Sequence, residues 1–358
     1  MRVLVVAAPL PGHLFPLVPL ARALWEAGHR VTLAAGGATG VAGMPVRDIA
    51  PGFSPGRIAA PLMLRHPVLA RREMAGRAGT AVVGRLFGAA NAGFLAAVRE
   101  VAREARPDVV IHEPLAPAGA IVAAELGVPA VLQENNLFPA RELRDVVLAA
   151  APLRDHQPPE PALTLTTTPA SLGGARAGHP LRPVPYGGEG DVPEWLLERP
   201  RVVVSRSTVP GPGADPTGIV AAAASGVDAE FVLVRPAERV TRAGLPGNVR
   251  VVGRVPLDRV LPHAAAFVHH GGAGSVLGAL AAGCPQLVLP GPGDRRHNAE
   301  VVARRGAGLA VEAKALSAAE LTRLVTDPGL RAAARQVRDE IAAMPPPEEV
   351  VPAIAALG

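Results

Sequence analysis

The chain has 358 residues, 49% of them hydrophobic and 19% charged, a balance that excludes a disordered protein and describes a folded one too long for a single comfortable core. Its formal charge is +5, carried by scattered arginines with one lysine, Lys314. With aromatics at 3%, that pattern does not describe a nucleic-acid binder, but it favours a doubly charged small-molecule substrate.

The opening Met1-Arg2-Val3-Leu4-Val5-Val6-Ala7-Ala8 carries one charge and is cut by Pro9, Pro11, Gly12 and His13. It predicts a buried first strand, Val3–Ala7, rather than a signal peptide. No apolar run approaches the roughly 18 residues of a membrane span, and one cysteine, Cys284, excludes an internal disulfide and any Cys-rich metal site. A soluble, cytoplasmic protein is expected. After the first strand, Leu14, Leu17, Val18, Ala21 and Leu24 mark one face of a helix, with Pro19 delaying its regular part and Gly28 closing it. His13 therefore sits at the carboxyl end of a strand, where open α/β sheets bind ligands. There it is either a general base, with a pKa near neutrality, or a loop histidine bonded to its own helix terminus. The loop lacks Gly-x-Gly-x-x-Gly, which argues against a dinucleotide.

Further strands are predicted at Arg30–Ala34, Asp108–His112, Ala130–Gln133, Arg201–Ser205, Glu230–Arg235, Val249–Val252, Ala266–His269 and Gln286–Pro290. Apolar runs separated by helix-length segments indicate parallel sheets covered on both faces, the α/β doubly wound class. Residues 59–100 read as helices. Gln157–Pro161 and Arg182–Pro193 are dense in Pro and Gly, and the strand pattern restarts just beyond them. We place the boundary there: residues 1–190 form one Rossmann-like domain and 191–340 a second, with the ligand site in the cleft between them.

In the second half, Ala266–His269 runs into His270-Gly271-Gly272-Ala273-Gly274-Ser275 and a helix expected over Val276–Ala282. A tight turn explains one glycine well and three poorly, so the loop reads as an anion cradle. Its backbone N–H groups and the positive helix start would hold a phosphate or pyrophosphate, with His270 and Ser275 donating further bonds. The loop Pro290–Glu300 follows the next strand. Asp294 there can accept bonds from sugar hydroxyls, Asn298 can cap the next helix, and Asp294-Arg295-Arg296 taken alone reads as a solvated charged turn.

At Pro11-Gly12-His13 and over Gly253–Glu300, above all Gly253-Arg254-Val255-Pro256-Leu257, Leu261-Pro262-His263, Phe267–Ser275 and Gly283–Ala299, the sequence resembles the GT-B fold glycosyltransferases that use nucleotide sugars. It looks most like the bacterial members that attach deoxysugars to natural-product aglycones. The resemblance implies two Rossmann-like domains facing across a cleft and inversion at the anomeric carbon, with His13 as base and Glu113 as its partner acid, where the family usually has Asp. It puts the donor pyrophosphate at His270, Gly272, Ala273, Gly274 and Ser275, the base at Arg254 and Val255, and the sugar at Asp294 and Arg295. Ser205 and Thr208 remain able to reach phosphates or ribose, although Ser207 stands where the family usually has Gly. Arg295 replaces a usual Gln and cannot accept a hydrogen bond, which favours a deoxygenated sugar.

Similar enzymes build the aglycone pocket from the region carrying Met63 and Phe87 and from the loop near Phe138. Residues 341–358 are expected to return to the first domain, as in other GT-B proteins. The resulting reading is a metal-independent inverting glycosyltransferase with a TDP- or UDP-sugar as co-substrate and no cofactor. Its partners are the nucleotide sugar and an aglycone, without nucleic acid, and a homodimer is compatible. The alternatives are a noncatalytic nucleotide-sugar-binding helper and a GT-B sugar-nucleotide epimerase.

Overall fold

The computed structural model describes residues 1–36, 41, 43–208 and 213–358. Among these, seven strands make one sheet: β1 (Arg2–Val6), β2 (Arg30–Ala35), β3 (Val46–Asp48), β4 (Val109–His112), β5 (Ala130–Gln133), β6 (Leu163–Thr166) and β7 (His179–Pro180). Six make a second: β8 (Val202–Ser205), β9 (Phe231–Val234), β10 (Val249–Val252), β11 (Ala266–His269), β12 (Gln286–Val288) and β13 (Gly308–Ala310). Every neighbouring pair is parallel. Parallel pairing demands crossovers, and helices crossing both faces explain why β4, β8, β9 and β11 are buried at every residue.

The orders are β3-β2-β1-β4-β5-β6-β7 and β10-β9-β8-β11-β12-β13. Each sheet therefore reverses its winding once, between β1 and β4 and between β8 and β11. At such a switch point the flanking loops diverge and leave a crevice outside the carboxyl ends of the strands. The first crevice lies between the loops bearing His13 and Glu113, the second between those bearing Ser205 and His270.

On one face of the first sheet, Val3, Val5, Leu17, Leu20 and Leu24 pack together with Val350, Val351 and Ile354. The last three come from the helix Pro347–Ala355, which follows a strap held by Arg182, whose Nε donates to Met344 O at 3.0 Å. On the other face, Leu4, Val6, Ile121 and Val122 meet Phe94 and Val98 of the helix Ala81–Ala105. This helix has 25 residues and is, by length and composition, apolar enough to cross a membrane. Its buried side in the sheet core accounts for that composition. The second sheet buries Val202, Val204, Phe231 and Leu287 on one face and Val203, Val232 and Phe267 on the other. Leu137 and Leu172 from the first half join Val276, Leu280 and Val301 of the second in one apolar cluster.

All the expected strands are present to within two residues. The delay that Pro19 imposes is visible: a turn over Pro11–Leu14 and a 3-10 turn over Phe15–Leu17 precede the helix Val18–Glu26. Strands β3, β6, β7 and β13 were not anticipated. The helix after the Gly-rich loop begins at Ala273 rather than Val276, so that the loop is tighter than expected.

Candidate active site

Glu113 follows β4 and is fully buried. Its Oε1 accepts from Ala8 N at 3.1 Å, and its Oε2 accepts from Leu115 N at 2.7 Å and Asn135 Nδ2 at 3.2 Å. Oε1 also lies 3.1 Å from His13 Nδ1. Burial pushes the Glu113 carboxyl up, but His13 and the backbone donors outweigh it, and its pKa falls below the usual value. For His13, burial lowers the pKa while the Glu113 carboxylate and, more weakly, Asp294 raise it, and the net direction is up. An ionised carboxylate at Nδ1 requires that nitrogen to carry the proton, which leaves Nε2 with its lone pair and no protein partner among the described residues. The imidazole packs against Phe87, ring centroids 5.3 Å apart.

Beside this pair lies a cavity of about 180 Å³ lined by Val82, Val83, Leu86, Phe87, Phe138 and Leu143, with Glu73, Thr80, Asn136 and Asp294 as its polar side chains. Its lining comes from both halves of the chain. Gly293 N donates to Glu73 Oε1 at 2.9 Å, and Arg296 Nε donates to Ala75 O at 2.7 Å. Phe138 stacks on His297 with ring centroids 4.0 Å apart. Gly76, at φ +64°, permits the approach, since a Cβ there would lie 2.3 Å from Gly291 O. Burial raises the Glu73 pKa, the Gly293 N–H opposes it and Asp294 adds to it.

In the second sheet, His269 at the end of β11 accepts from Gly271 N at 3.0 Å through Nδ1 and faces Gln286 Oε1 at 2.8 Å through Nε2. Burial holds its pKa down at about 4, so the ring is neutral and shapes the loop. Gly271 adopts φ +87°, and a Cβ on Gly272 would lie 2.8 Å from His270 Nε2. Both glycines are therefore dictated by the loop. Gly274 faces open space, and the N–H groups of Ala273 and Gly274 at the helix start take no partner among the described residues. His270 is kept neutral, first by burial and then by Arg295, His269 and Arg235, and its buried Nδ1 has no partner among the described residues.

Asp294 occupies the N-cap position of the helix Arg295–Arg305 without capping it. Asn298, expected as the cap, lies inside that helix: its Nδ2 donates to Gly271 O and to Asp294 Oδ2, both at 2.8 Å, tying the two loops together. Burial raises the Asp294 pKa, against Asn298, Arg295 and His13. Asp294 and His13, far apart in sequence, thus each bias the other's titration.

Phe87, Phe138 and Asp294 line the cavity, His13 packs on Phe87 from the Glu113 side, and Asn298 joins Asp294 to the loop His270–Ser275. Arg295 packs against that loop, its backbone oxygen 3.0 Å from the position of a Cβ on Gly271. Ser205 is buried at the end of β8, while Thr208 is exposed. Val255 is buried and Arg254 exposed on the loop after β10. Met63 is half-buried on the helix Pro55–Arg65 and does not line the cavity. Sequence reasoning missed Glu73, Asn135, Asn136, His269 and His297. Their partners lie between 1 and 220 residues away, and no local motif marks them. Among the described residues no group of three or more His, Cys, Asp or Glu is arranged to hold a metal.

Residues 22–206 match the N-terminal domain, and residues 219–357 the C-terminal domain, of the erythromycin biosynthesis protein CIII-like family. The elloramycin glycosyltransferase ElmGT of Streptomyces olivaceus is 36% identical over 98% of this chain and 96% of its own. The crystal structure of the glycosyltransferase SnogD from Streptomyces nogalater superposes with a TM-score of 0.81 at 33% identity, covering 100% of this chain and 99% of that one. The glycosyltransferase SsfS6 of Streptomyces sp. SF2575, complexed with thymidine diphosphate, gives 0.84 at 26% identity over 99% of both chains. With both sheets, both switch-point crevices and the whole chain accounted for, the protein belongs to the erythromycin biosynthesis protein CIII-like family and is a bacterial natural-product glycosyltransferase of the GT-B fold.

Proposed function

We propose that this glycosyltransferase moves a deoxysugar from TDP to a hydroxyl of its aglycone by a single inverting displacement. The observation that carries the reading is the His13–Glu113 pair, whose imidazole packs on Phe87 of an apolar cavity that Asp294 also lines. The acceptor hydroxyl gives its proton to His13 Nε2, and its oxygen attacks the anomeric carbon from the face opposite the phosphate. The bond from that carbon to the β-phosphate oxygen breaks, and the nucleoside diphosphate leaves. Glu113 keeps the proton on Nδ1 and stabilises the imidazolium that forms. The N–H groups of Ala273 and Gly274 and the Ser275 hydroxyl meet the charge growing on the leaving group, so that this scheme calls for no divalent ion. The TDP donor is supported by the thymidine diphosphate complex of SsfS6. The deoxysugar is supported by Arg295, which offers a sugar hydroxyl no acceptor, and the aglycone seat by Phe87, Phe138 and the aliphatic walls around them.

His13→Ala tests the reading. Transfer should fall by about 10²–10⁴-fold, while calorimetric binding of TDP stays at the wild-type level. Retained transfer removes His13 as the base. A wild-type protein that binds TDP yet transfers to no acceptor would favour a noncatalytic helper.

A further inference from the structure

The loops after three neighbouring strands each carry an arginine within their first two residues. Arg206 follows β8, Arg235 follows β9, and Arg254 stands two residues beyond β10. The strand ends are in register there, with Ser205 opposite Val234 and Val234 opposite Val252. Arg235 N continues the ladder by donating to Val252 O at 2.9 Å. The three residues thus start from strand ends spaced by about 5 Å, at the carboxyl edge of the sheet that bears the anion cradle.

None of the three pairs with a carboxylate among the described residues, whereas Arg199, Arg201, Arg239 and Arg242 of the same domain all do. Like charges gathered without a counter-charge cost stability unless a ligand supplies one. Arg235 carries two further marks. It is one of two non-glycine residues at positive φ among those described, with φ 50°, and such strain gathers at ligand sites. The other, Arg106, closes a helix. Burial, then Arg206 and Arg254, depress the Arg235 pKa, and Arg235 in turn helps to depress His270, which places it beside the Gly-rich loop.

We propose that Arg206 and Arg235, acting with Arg254, bind the diphosphate of the donor and of the departing nucleotide, so that phosphate charge more than the base sets nucleotide affinity. The inference rests on the donor site proposed above and adds two residues that no motif of the sequence singled out. It also gives the leaving group a counter-charge that grows in value as the nucleotide gains its extra negative charge on departure.

The test is calorimetric titration of the wild type, Arg206→Gln and Arg235→Gln with TDP, TMP and thymidine at low and high salt, together with ligand-free melting curves. The expected result is wild-type affinity in the order TDP, TMP, thymidine, with TDP binding weakened by salt. Each variant should lose about ten-fold or more in TDP affinity, keep its affinity for thymidine, and show a flatter salt dependence. Its ligand-free melting temperature should hold or rise, because a mutual repulsion has been removed. Unchanged TDP affinity overturns the inference, as does a parallel loss for thymidine or a lowered ligand-free melting temperature. If the wild type binds no TDP, the donor site itself falls and takes this inference with it, whereas failure in the variants alone leaves the donor site standing.

Discussion

His13 and Glu113 are separated by 100 residues and meet at 3.1 Å, and the consequences for pH follow from the direction of each shift. A base works when neutral, so the raised His13 pKa moves the rising limb of kcat/KM above the ordinary imidazole value of about 6.5. Glu113→Gln removes the charge that holds that pKa up and leaves burial, which lowers it. The limb should then shift to lower pH while the rate falls by about 10²-fold or more. A limb that stays in place would assign the titration to another group. The same pair contributes to folding. The His13 part is full below about pH 6.5 and fades as pH rises through the folded pKa. The Glu113 part is present above the ordinary carboxylate range and fades as pH falls through its lowered value. The resemblance supplied this pairing, with Glu where the family usually has Asp. The residues that hold Glu113 in place, Ala8, Leu115 and Asn135, carry no signal in the sequence because two of them act through backbone N–H groups.

At the scale of elements, the Gly-rich loop after β11 is legible because Gly271 and Gly272 answer steric demands while Gly274 leaves the helix start open. Gly272→Ala would set a Cβ 2.8 Å from His270 Nε2, at a backbone conformation with φ −63° that alanine accepts. It should therefore cost nucleotide affinity, by about ten-fold on calorimetry, with little loss of melting temperature. Gly271→Ala, at φ +87°, should instead destabilise the fold by about 1–3 kcal/mol in denaturant titrations. The four strands that the sequence concealed each lack part of the usual signal. β3 and β7 are short and lie on sheet edges, β13 opens on Gly308, whose Cβ would meet Gln286 O at 2.2 Å, and β6 reads Leu-Thr-Leu-Thr directly after a Pro-rich stretch. Interior strands with unbroken Val, Leu or Phe announce themselves. The edge strand β10, Val-Arg-Val-Val, does so too, whereas the short edge strands β3, β7 and β13 borrow their structure from a neighbour and do not.

For the whole molecule, two features join what the sequence separates. The helix Pro347–Ala355 completes the apolar layer under β1 with Val350, Val351 and Ile354, so truncation after Pro346 should lower the melting temperature and bare an apolar strip that binds a hydrophobic dye. Across the cleft, Glu73 accepts from Gly293 N and Arg296 donates to Ala75 O. Glu73→Ala should raise the acceptor KM while TDP affinity holds, and an unchanged KM would show that this contact does not shape the acceptor seat. The sequence by itself determined the class of fold, the succession of its principal strands along the chain, and the places of His13 and of the Gly-rich loop just beyond strand ends, because these rest on local periodicity and on dihedral needs that a few adjacent residues express. Tertiary structure alone decided the meeting of Glu113 with Asn135, of Glu73 with Gly293, of Asn298 with Gly271, and of three arginines at neighbouring strand ends. Such contacts depend on which strands lie side by side, and pairing across distant segments leaves no trace in the order of residues.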